Sequence, residues 1–583
     1  MTGKHFTISV PPSSASTSRS ASPALDDAEE KINRIYDAAP GQHATDVYDT
    51  TLPPFRALIR RKLVKIVEKE SRVLARLQKA VRTPLGDSYF VYTSLLGTHT
   101  FFMILLPCFA FFGRQDIARG LIMVLAAGVY LSSVLKDMFC SPRPFAPPVV
   151  RLTIGSHHLE YGFPSTHSTN SVSMALFFFS IFHALRHNDT PSITSQEFYT
   201  IVAVLTFYTF SIVFGRLYTG MHSFTDCITG TVLGAGIWWG HDSWVGHAVT
   251  ISPSNPLYAV STALGLGESS NKGLVVYLGK GLGAGRWIEQ WSENGGWKVP
   301  FILIPLCLLA VNQHPQPVDD CPCFEDAIAF GSVVLGALVG RWAMHTAGMN
   351  SEAGGPSIMP GSGLVQDAIT GQWMTVDRNW GDIGVWWTFA VLKLTVGILA
   401  IFVWRIIAKS ALHLILPPTF RLLSRAFRLP NRRFYTPATE YKNVPSEFQV
   451  GEDGNIALQA IPSVIDLPSS AGVMFETGGI GSGTDGSSHW GHAAGKRKKK
   501  NMRPVNGSSV KEPSPLKSEI NSVMLTRSRQ PDAETQSSKA RGVKHYDADV
   551  LTKVIVYAGI AFLACEALPL VFEYLGWGLR YWI

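Results

Sequence analysis

Three short stretches carry residues whose types and spacing suit the chemistry of a tetrahedral oxyanion. They are Lys136-Asp-Met-Phe-Cys-Ser-Pro-Arg143-Pro144, Pro164-Ser165-Thr166-His167 and Gly215-Arg216-Leu-Tyr-Thr-Gly-Met-His222-Ser-Phe-Thr-Asp226. Among their residues are three cations, two histidines and the carboxylate of Asp226. Cations hold such an anion, one imidazole attacks it, and the other protonates the leaving group. The set indicates a phosphatase in which cationic side chains stabilise the charge, and we expect no metal or other cofactor.

The third stretch offers a nucleophile with an orienting partner. His222 and Asp226 are separated by three residues, so on a helix they share one face. There Asp226 would accept a hydrogen bond from one ring nitrogen of His222 and leave the other free to attack phosphorus. Arg216 would direct two donors onto phosphate oxygens.

The first stretch places two cations around a helix end. Prolines on both sides of Arg143 break the helix that Lys136 ends, so the guanidinium lies in a turn. Either cation alone would more often be an ordinary charge at a membrane surface. Because Arg216 and two histidines accompany them, a phosphate-binding role is the better interpretation.

The second stretch begins a helix. Its N-terminus presents free backbone N–H groups and a favourable dipole to an anion. Ser165 adds a hydroxyl donor, Thr166 adds its backbone N–H, and His167 is the natural general acid for a leaving alkoxide.

Two weaker patterns raise the alternative of a metal site. His157, His158 and Glu160 form a His-His-x-Glu pattern of low specificity. Cys321-Pro-Cys323 lacks a second Cys or His pair at zinc spacing, and a loop disulfide is the alternative there.

Composition predicts an all-α, polytopic membrane helical bundle. Hydrophobic residues make up 46% of the 583 residues and charged residues 16%, below the roughly 25% of an average soluble chain. The apolar residues cluster in runs near the ~20 that cross a bilayer. We predict eight or nine transmembrane helices, at 91–113, 118–136, 168–186, 197–214, 224–240, 299–312, 326–345, 385–409 and 551–575. If the spans alternate, all three stretches lie at one membrane face.

The chain divides into six predicted regions. They are a disordered tail at 1–54, a basic amphipathic interfacial helix at 55–88, a catalytic membrane core at 89–242, further transmembrane helices and loops at 243–424, a disordered Ser/Gly/Lys-rich insertion at 425–548 and a C-terminal transmembrane helix at 549–583. Packing on the rest of the protein is an equal alternative for the basic helix.

The net charge of +8 comes largely from residues 56–82 and 496–500. Basic charge beside membrane spans indicates contact with anionic membrane lipids or topology control, and no nucleic-acid partner is expected.

The three stretches resemble the type 2 phosphatidic acid phosphatase and haloperoxidase superfamily, whose pattern is K-x6-R-P, P-S-G-H and S-R-x5-H-x3-D. The match covers about residues 90–240, with Thr166 in place of the family's Gly and Gly215 in place of its Ser. Ser141-Pro-Arg-Pro-Phe-Ala-Pro-Pro-Val149 and Phe163-Pro-Ser-Thr-His167 look most like the sphingoid long-chain-base 1-phosphate phosphatases of the endoplasmic reticulum. The long polar insertions suggest a fungal member.

The resemblance implies a substrate and a role for each site residue. The substrate would be a sphingoid base 1-phosphate, hydrolysed through a phosphohistidine. His222 would be the nucleophile, His167 the general acid and Asp226 the residue that orients His222. The phosphate would be bound by the remaining set, Lys136, Arg143, Ser165, Thr166 and Arg216.

Alternatives remain at the level of the sequence. Phosphatidate or a polyprenyl diphosphate as substrate would use the same motifs. A non-catalytic lipid transporter or scaffold would only bind the phosphate, and vanadate-dependent halide oxidation would use the same pocket.

The positive-inside rule favours a cytosolic site, whereas the resemblance implies a lumenal one. Because long polar regions translocate despite their charge, we expect the lumenal orientation.

Overall fold

The computed structural model of the chain describes ten segments and confirms the predicted helical membrane fold. They are residues 40–152, 160–187, 191–263, 268–270, 273–319, 321–349, 358–366, 373–426, 435–436 and 545–578. His157, His158, residues 1–39 of the predicted tail and nearly all of the predicted 425–548 insertion lie outside them.

Fifteen helices form the described part of the structure. In chain order they are α1 Thr45–Thr51, α2 Pro54–Val81, α3 Pro84–Thr93, α4 His99–Phe111, α5 Gln115–Phe139, α6 Thr166–His187, α7 Ser195–Tyr218, α8 Phe224–His241, α9 Pro256–Ala263, α10 Ala284–Asn294, α11 Lys298–Gln313, α12 Cys323–Thr346, α13 Trp380–Ala426, α14 Asp547–Phe562 and α15 Leu568–Tyr574. A 3₁₀ turn at Ser94–Gly97 joins α3 to α4, and a π-helical turn at Leu563–Ala567 joins α14 to α15.

Fewer helices are long and apolar enough to cross a membrane than the sequence predicted. Among the described residues there are six, or seven if the bent pair α3–α4 is one span. The predicted spans at 224–240 and 299–312 account for the difference between nine and seven. Helix α8 is interrupted by three threonines, four glycines and an aspartate, and α11 has only 16 residues.

The spans pack so that the three motif stretches meet at one end of the bundle. Helix α6 packs between α8, α7 and α5, while α12 joins α5 to α14. At the opposite end, Arg119 Nε lies 2.9 Å from Glu289 Oε1 and Arg119 Nη1 lies 3.0 Å from Glu566 Oε1. These ion pairs tie α10 and the π-helical turn between α14 and α15 to the start of α5.

The region predicted as further transmembrane helices and loops, 243–424, also contains a small sheet near its start. Strands β1 His247–Ile251, β2 Glu268–Ser270 and β3 Gly273–Leu278 form an antiparallel sheet of order β1-β3-β2. Val249 pairs with Val276 and Thr250 with Val275. These β-branched pairs explain the strands, because such side chains pack well across neighbouring strands.

The N-terminal region is more ordered than predicted where it is described. Residues 45–51 form α1, whereas the disordered tail was expected to extend to residue 54. Helix α2 packs across the loops that carry the motifs: Arg56 donates to the carbonyls of Asp137 and Met138, each at 2.7 Å, and Arg60 donates to that of Cys140 at 3.1 Å. The alternative of a packed helix therefore applies to this face of α2, and its position at the membrane surface stays a prediction.

Candidate active site

The first motif leaves α5 through a sharp change of backbone direction. Cys140 caps the helix in the left-handed region, with φ of 47°. Proline on each side then keeps Arg143 out of helical conformation. The Arg143 guanidinium is buried, donating from Nε to Glu160 O at 2.8 Å and from Nη1 to Met221 O at 2.9 Å.

A carboxylate contacts both cations of the first motif. Lys136 Nζ lies 2.6 Å from Glu160 Oε2, and Arg143 Nη2 lies 3.7 Å from the same oxygen. All three side chains are buried. The sequence raised Glu160 only as a metal ligand, whereas here it balances the charge of two predicted phosphate-binding cations.

His222 is held in one ring orientation. Its Nδ1 lies 2.8 Å from Gly162 O, so this nitrogen carries the proton and donates it to the carbonyl. Nε2 then carries the lone pair and lies 3.2 Å from Arg143 Nη1. Burial and the charges of Arg143, Lys136 and Arg216 lower the pKa of His222 well below its usual range. A neutral imidazole with Nε2 facing the cations is the arrangement that a nucleophile toward phosphate requires.

Asp226 does not make the predicted hydrogen bond to His222. Its Oδ2 is 3.8 Å from His222 Nδ1 and accepts instead from Ser223 N at 2.8 Å, while Ser223 Oγ accepts from Asp226 N at 3.2 Å. This is a capping box, because α8 begins at Phe224 with Ser223 as its N-cap. His222 precedes the helix, so the helical spacing argument does not apply. Gly162 O takes the orienting contact, and Asp226 fixes the helix start beside it.

Arg216 brings a buried guanidinium to the site. The side chain is 4% exposed. Within the described ranges its Nε has no hydrogen-bond partner. Its carbonyl accepts from Met221 N at 3.1 Å and His222 N at 3.3 Å, which closes the turn carrying the histidine. The phosphate-binding role predicted for Arg216 is consistent with this unsatisfied donor, since buried donors are normally paired.

The second motif begins α6 as predicted. Ser165 precedes the helix, and its Oγ accepts from Ser168 N at 3.3 Å and from Ser168 Oγ at 3.0 Å. Thr166 Oγ1 lies 3.0 Å from Ser132 Oγ on α5. The half-buried His167 ring packs beside Gly97, where an added Cβ would be 3.0 Å from its Cδ2. Ser165 N donates to Asp226 O at 3.1 Å, which joins the second motif to the third.

Helix α2 supports the site from outside the three motifs. Glu70 accepts from Thr225 N at 3.0 Å and from Thr225 Oγ1 at 2.6 Å, which adds a second cap to the start of α8. Gln78 Nε2 donates to Val150 O at 2.8 Å and to Tyr218 O at 3.0 Å. Polar residues on a basic amphipathic helix were the only sequence signal for these contacts.

A disulfide lies at the same end of the bundle as the motifs. Cys321, in the loop before α12, is bonded to Cys323, the first residue of that helix, and a carboxylate oxygen of Asp137 lies within 4.8 Å of both sulfurs. The close cysteine pair was the sequence signal, and the structure assigns it to the disulfide alternative.

Comparisons with known proteins agree with the position of these motifs. A sequence model described as the PAP2 superfamily matches residues 117–248, which include all three stretches. A dihydrosphingosine 1-phosphate phosphatase of Schizosaccharomyces pombe is 33% identical over 376 residues, covering 64% of this chain and 74% of the relative. One of Saccharomyces cerevisiae is 32% identical over 314 residues, covering 54% and 67%.

A more distant relative shares a shorter region. A probable sphingosine-1-phosphate phosphatase of Dictyostelium discoideum is 30% identical over 179 residues, covering 30% of this chain and 42% of the relative. The extent of the yeast similarity, together with the family match over the three motif stretches, leads to one conclusion. The chain belongs to the PAP2 superfamily.

Proposed function

We propose that the protein is a lipid phosphate phosphatase that hydrolyses sphingoid base 1-phosphates to the free base and inorganic phosphate. The yeast relatives carry that activity in their names, and their similarity extends over more than half of this chain. The observation that carries the chemistry is the orientation of His222, with Nδ1 donating to Gly162 O and Nε2 facing Arg143.

In the first step, His222 Nε2 attacks phosphorus. A P–N bond forms, and the bond from phosphorus to the sphingoid oxygen breaks. His167 donates a proton to the departing alkoxide, which leaves as the free alcohol. The product on the enzyme is a phosphohistidine at His222.

In the second step, water attacks the phosphohistidine. The P–N bond breaks, inorganic phosphate leaves, and Nε2 recovers its lone pair. His167, now neutral, accepts the proton of the attacking water. The two histidines therefore return to their starting protonation states after each turnover.

The phosphate is held by Lys136, Arg143 and Arg216, with Ser165 and the N-terminus of α6 as further donors. Charge develops on the phosphoryl oxygens in the transition state, and fixed donors in a buried site stabilise it without reorganising. Arg216 supplies the donor that lacks a partner in the described part of the protein. Asp226 contributes by fixing the start of α8, on which the position of His222 depends.

We further propose that the protein resides in the endoplasmic reticulum membrane with its active site facing the lumen. The Cys321–Cys323 disulfide supports this orientation, because it lies at the active-site end and disulfides persist in oxidising compartments. The predicted interfacial role of α2 fits the same face, where its buried side packs on the motif loops.

Phosphate release from purified protein tests the function. Dihydrosphingosine 1-phosphate and phosphatidate are compared in the presence of a chelator, for wild type and His222→Ala. Hydrolysis of the sphingoid substrate alone, surviving chelator and lost in the variant, is the expected result. Preference for phosphatidate would overturn the substrate class, and activity that survives His222→Ala would overturn the chemistry.

A further inference from the structure

Asp319 lies far from the motifs in sequence but reaches the active-site loops. It belongs to the loop between α11 and α12, outside the family match at 117–248. Its Oδ2 accepts from Gly41 N at 2.9 Å, Tyr48 OH at 2.8 Å and Tyr161 OH at 2.8 Å. In addition, Asp319 N donates to Tyr161 OH at 2.9 Å. The Tyr161 hydroxyl is therefore held twice by one residue.

Tyr161 connects two residues that touch the catalytic groups. On one side, Glu160 O accepts from Arg143 and the Glu160 carboxylate contacts Lys136. On the other side, Gly162 O accepts from His222 Nδ1. Because peptide groups are planar and stiff, a shift of Tyr161 moves both neighbours.

The neighbouring residues leave little room for the segment Glu160-Tyr161-Gly162 to move. Gly162 N donates to Ser141 O at 2.9 Å. A Cβ added at Gly162 would be 2.6 Å from Pro142 O. The Tyr161 ring is 0% exposed and packs in a core cluster with Tyr48 and Cys140. Burial raises the pKa of Tyr161 well above its usual range, so the phenol remains a neutral donor.

We propose that Asp319 is a positioning residue for the hydrolytic reaction: through Tyr161 it sets Gly162 O against His222 and Glu160 against Arg143. A loop of the spans outside the superfamily core thus completes the site. This inference rests on the proposed function only in taking His222 as the residue that meets phosphorus.

Two tyrosines provide a matched test. Tyr48 and Tyr161 are both 0% exposed, and both donate to Asp319 Oδ2 at 2.8 Å. Only Tyr161 adjoins the residues that contact His222 and Arg143. Tyr161→Phe and Tyr48→Phe therefore each remove a buried hydrogen bond to the same carboxylate oxygen, with different consequences for the nucleophile; Tyr161→Phe also removes the hydrogen bond that Asp319 N donates.

The expected result is a split between stability and turnover. The thermal unfolding temperature of the purified, detergent-solubilised chain should fall in both variants, and further in Tyr161→Phe, which also loses the hydrogen bond from Asp319 N. Turnover per folded site should fall about tenfold or more in Tyr161→Phe, since small misplacements of catalytic groups are costly, and change little in Tyr48→Phe. Equal kcat values for the two variants would overturn the proposal.

The acid limb of the pH profile gives a readout that general loosening would not move. The hydrogen bond to Gly162 O raises the pKa of His222, whereas Arg143, Lys136 and Arg216 lower it. Weakening that bond in Tyr161→Phe should shift the acid limb of kcat/KM to lower pH. An unshifted limb in a folded Tyr161→Phe protein contradicts positioning through Gly162.

Vanadate binding separates this inference from the choice of lipid substrate. Vanadate, a tetrahedral oxyanion, should bind Tyr161→Phe about tenfold more weakly than Tyr48→Phe, even if neither lipid is hydrolysed by wild type. Should Tyr161→Phe not fold, Asp319→Asn keeps the shape of the side chain and should show the same weakened binding. Wild-type vanadate affinity in Asp319→Asn would contradict the proposal.

Discussion

Lys136 Nζ lies 2.6 Å from Glu160 Oε2, so a cation predicted to bind substrate phosphate already contacts a carboxylate of the protein. The same oxygen lies 3.7 Å from Arg143 Nη2. A phosphate that enters the site must share these cations with Glu160. The balance between the two anions bears on product inhibition as well as on substrate binding.

Replacing Glu160 by Gln should tighten phosphate binding. The amide oxygen still accepts from Lys136, but the negative charge that competes for the cations is gone. We expect inorganic phosphate to inhibit Glu160→Gln at about tenfold lower concentration than wild type. Glu289→Gln, which removes a carboxylate paired with Arg119 at the opposite end, is the control. An unchanged inhibition constant in Glu160→Gln would show that the carboxylate does not compete.

Arg216 should contribute strongly to the reaction. Because its Nε has no acceptor among the described residues, substrate phosphate is the partner we assign to it. Arg216→Gln should lower kcat/KM by ~10²–10³, and Arg216→Lys should lose less because it keeps the charge. Arg72, an exposed arginine paired with Glu68, provides Arg72→Gln as a control with near wild-type activity. Equal kinetics in the two glutamine variants would remove Arg216 from the site.

The pH dependence of kcat/KM should report the state of His222. The neutral imidazole attacks, so activity falls as pH drops through its pKa. Burial and the neighbouring cations lower that pKa, and the acid limb should therefore lie below the ordinary histidine value of about 6.5. In Arg143→Gln one of these cations is lost, the pKa rises, and the limb should move to higher pH. A limb that stays in place, or moves lower, contradicts the role given to His222.

Two glycosylation sequons distinguish the orientations of the bundle. Helix α6 ends at His187, away from the motifs, and the sequon Asn188-Asp-Thr190 comes next in the sequence. In the sequence, Asn506 lies between α13 and α14, and His413 Nε2 in the C-terminal part of α13 lies 3.3 Å from Asp549 Oδ1 near the start of α14. Lys553 pairs with Glu325 near the start of α12, which places those ends on the active-site side.

If the active site is lumenal, the protein should show a glycan-dependent shift in gel mobility that endoglycosidase removes. This mobility shift should disappear in Asn506→Gln and persist in Asn188→Gln. Each variant serves as the control for the other. Loss of the shift in Asn188→Gln alone would place the active site in the cytosol.

The position of the candidate site residues could be predicted from the sequence better than their contacts. The spacing within each motif and the alternation of spans led to Lys136, Arg143, Arg216 and His222 at one membrane face. The partner of His222 Nδ1 could not be predicted, because a backbone carbonyl such as Gly162 O leaves no residue-type signal. The i, i+4 argument for Asp226 was wrong because the capping box starts α8 after His222.

Contacts between distant segments were the least predictable part of the structure. Asp319 and Tyr161 are 158 residues apart, and neither belongs to a motif. The sequence of α2 predicted a basic amphipathic helix. In the structure its polar residues Glu70 and Gln78 contact the motif segments, and these contacts depend on tertiary packing. The fold class, by contrast, followed from apolar runs, since a bilayer admits few alternatives to helices.

Trapping the phosphoenzyme tests the central claim, that His222 Nε2 attacks phosphorus. Purified protein is mixed with sphingoid base 1-phosphate labelled with ³²P, quenched in alkali to preserve phosphohistidine, digested and mapped. The account predicts label on the peptide containing His222 and none in His222→Gln. Label on another residue, or turnover by His222→Gln at a rate near that of wild type, would contradict it.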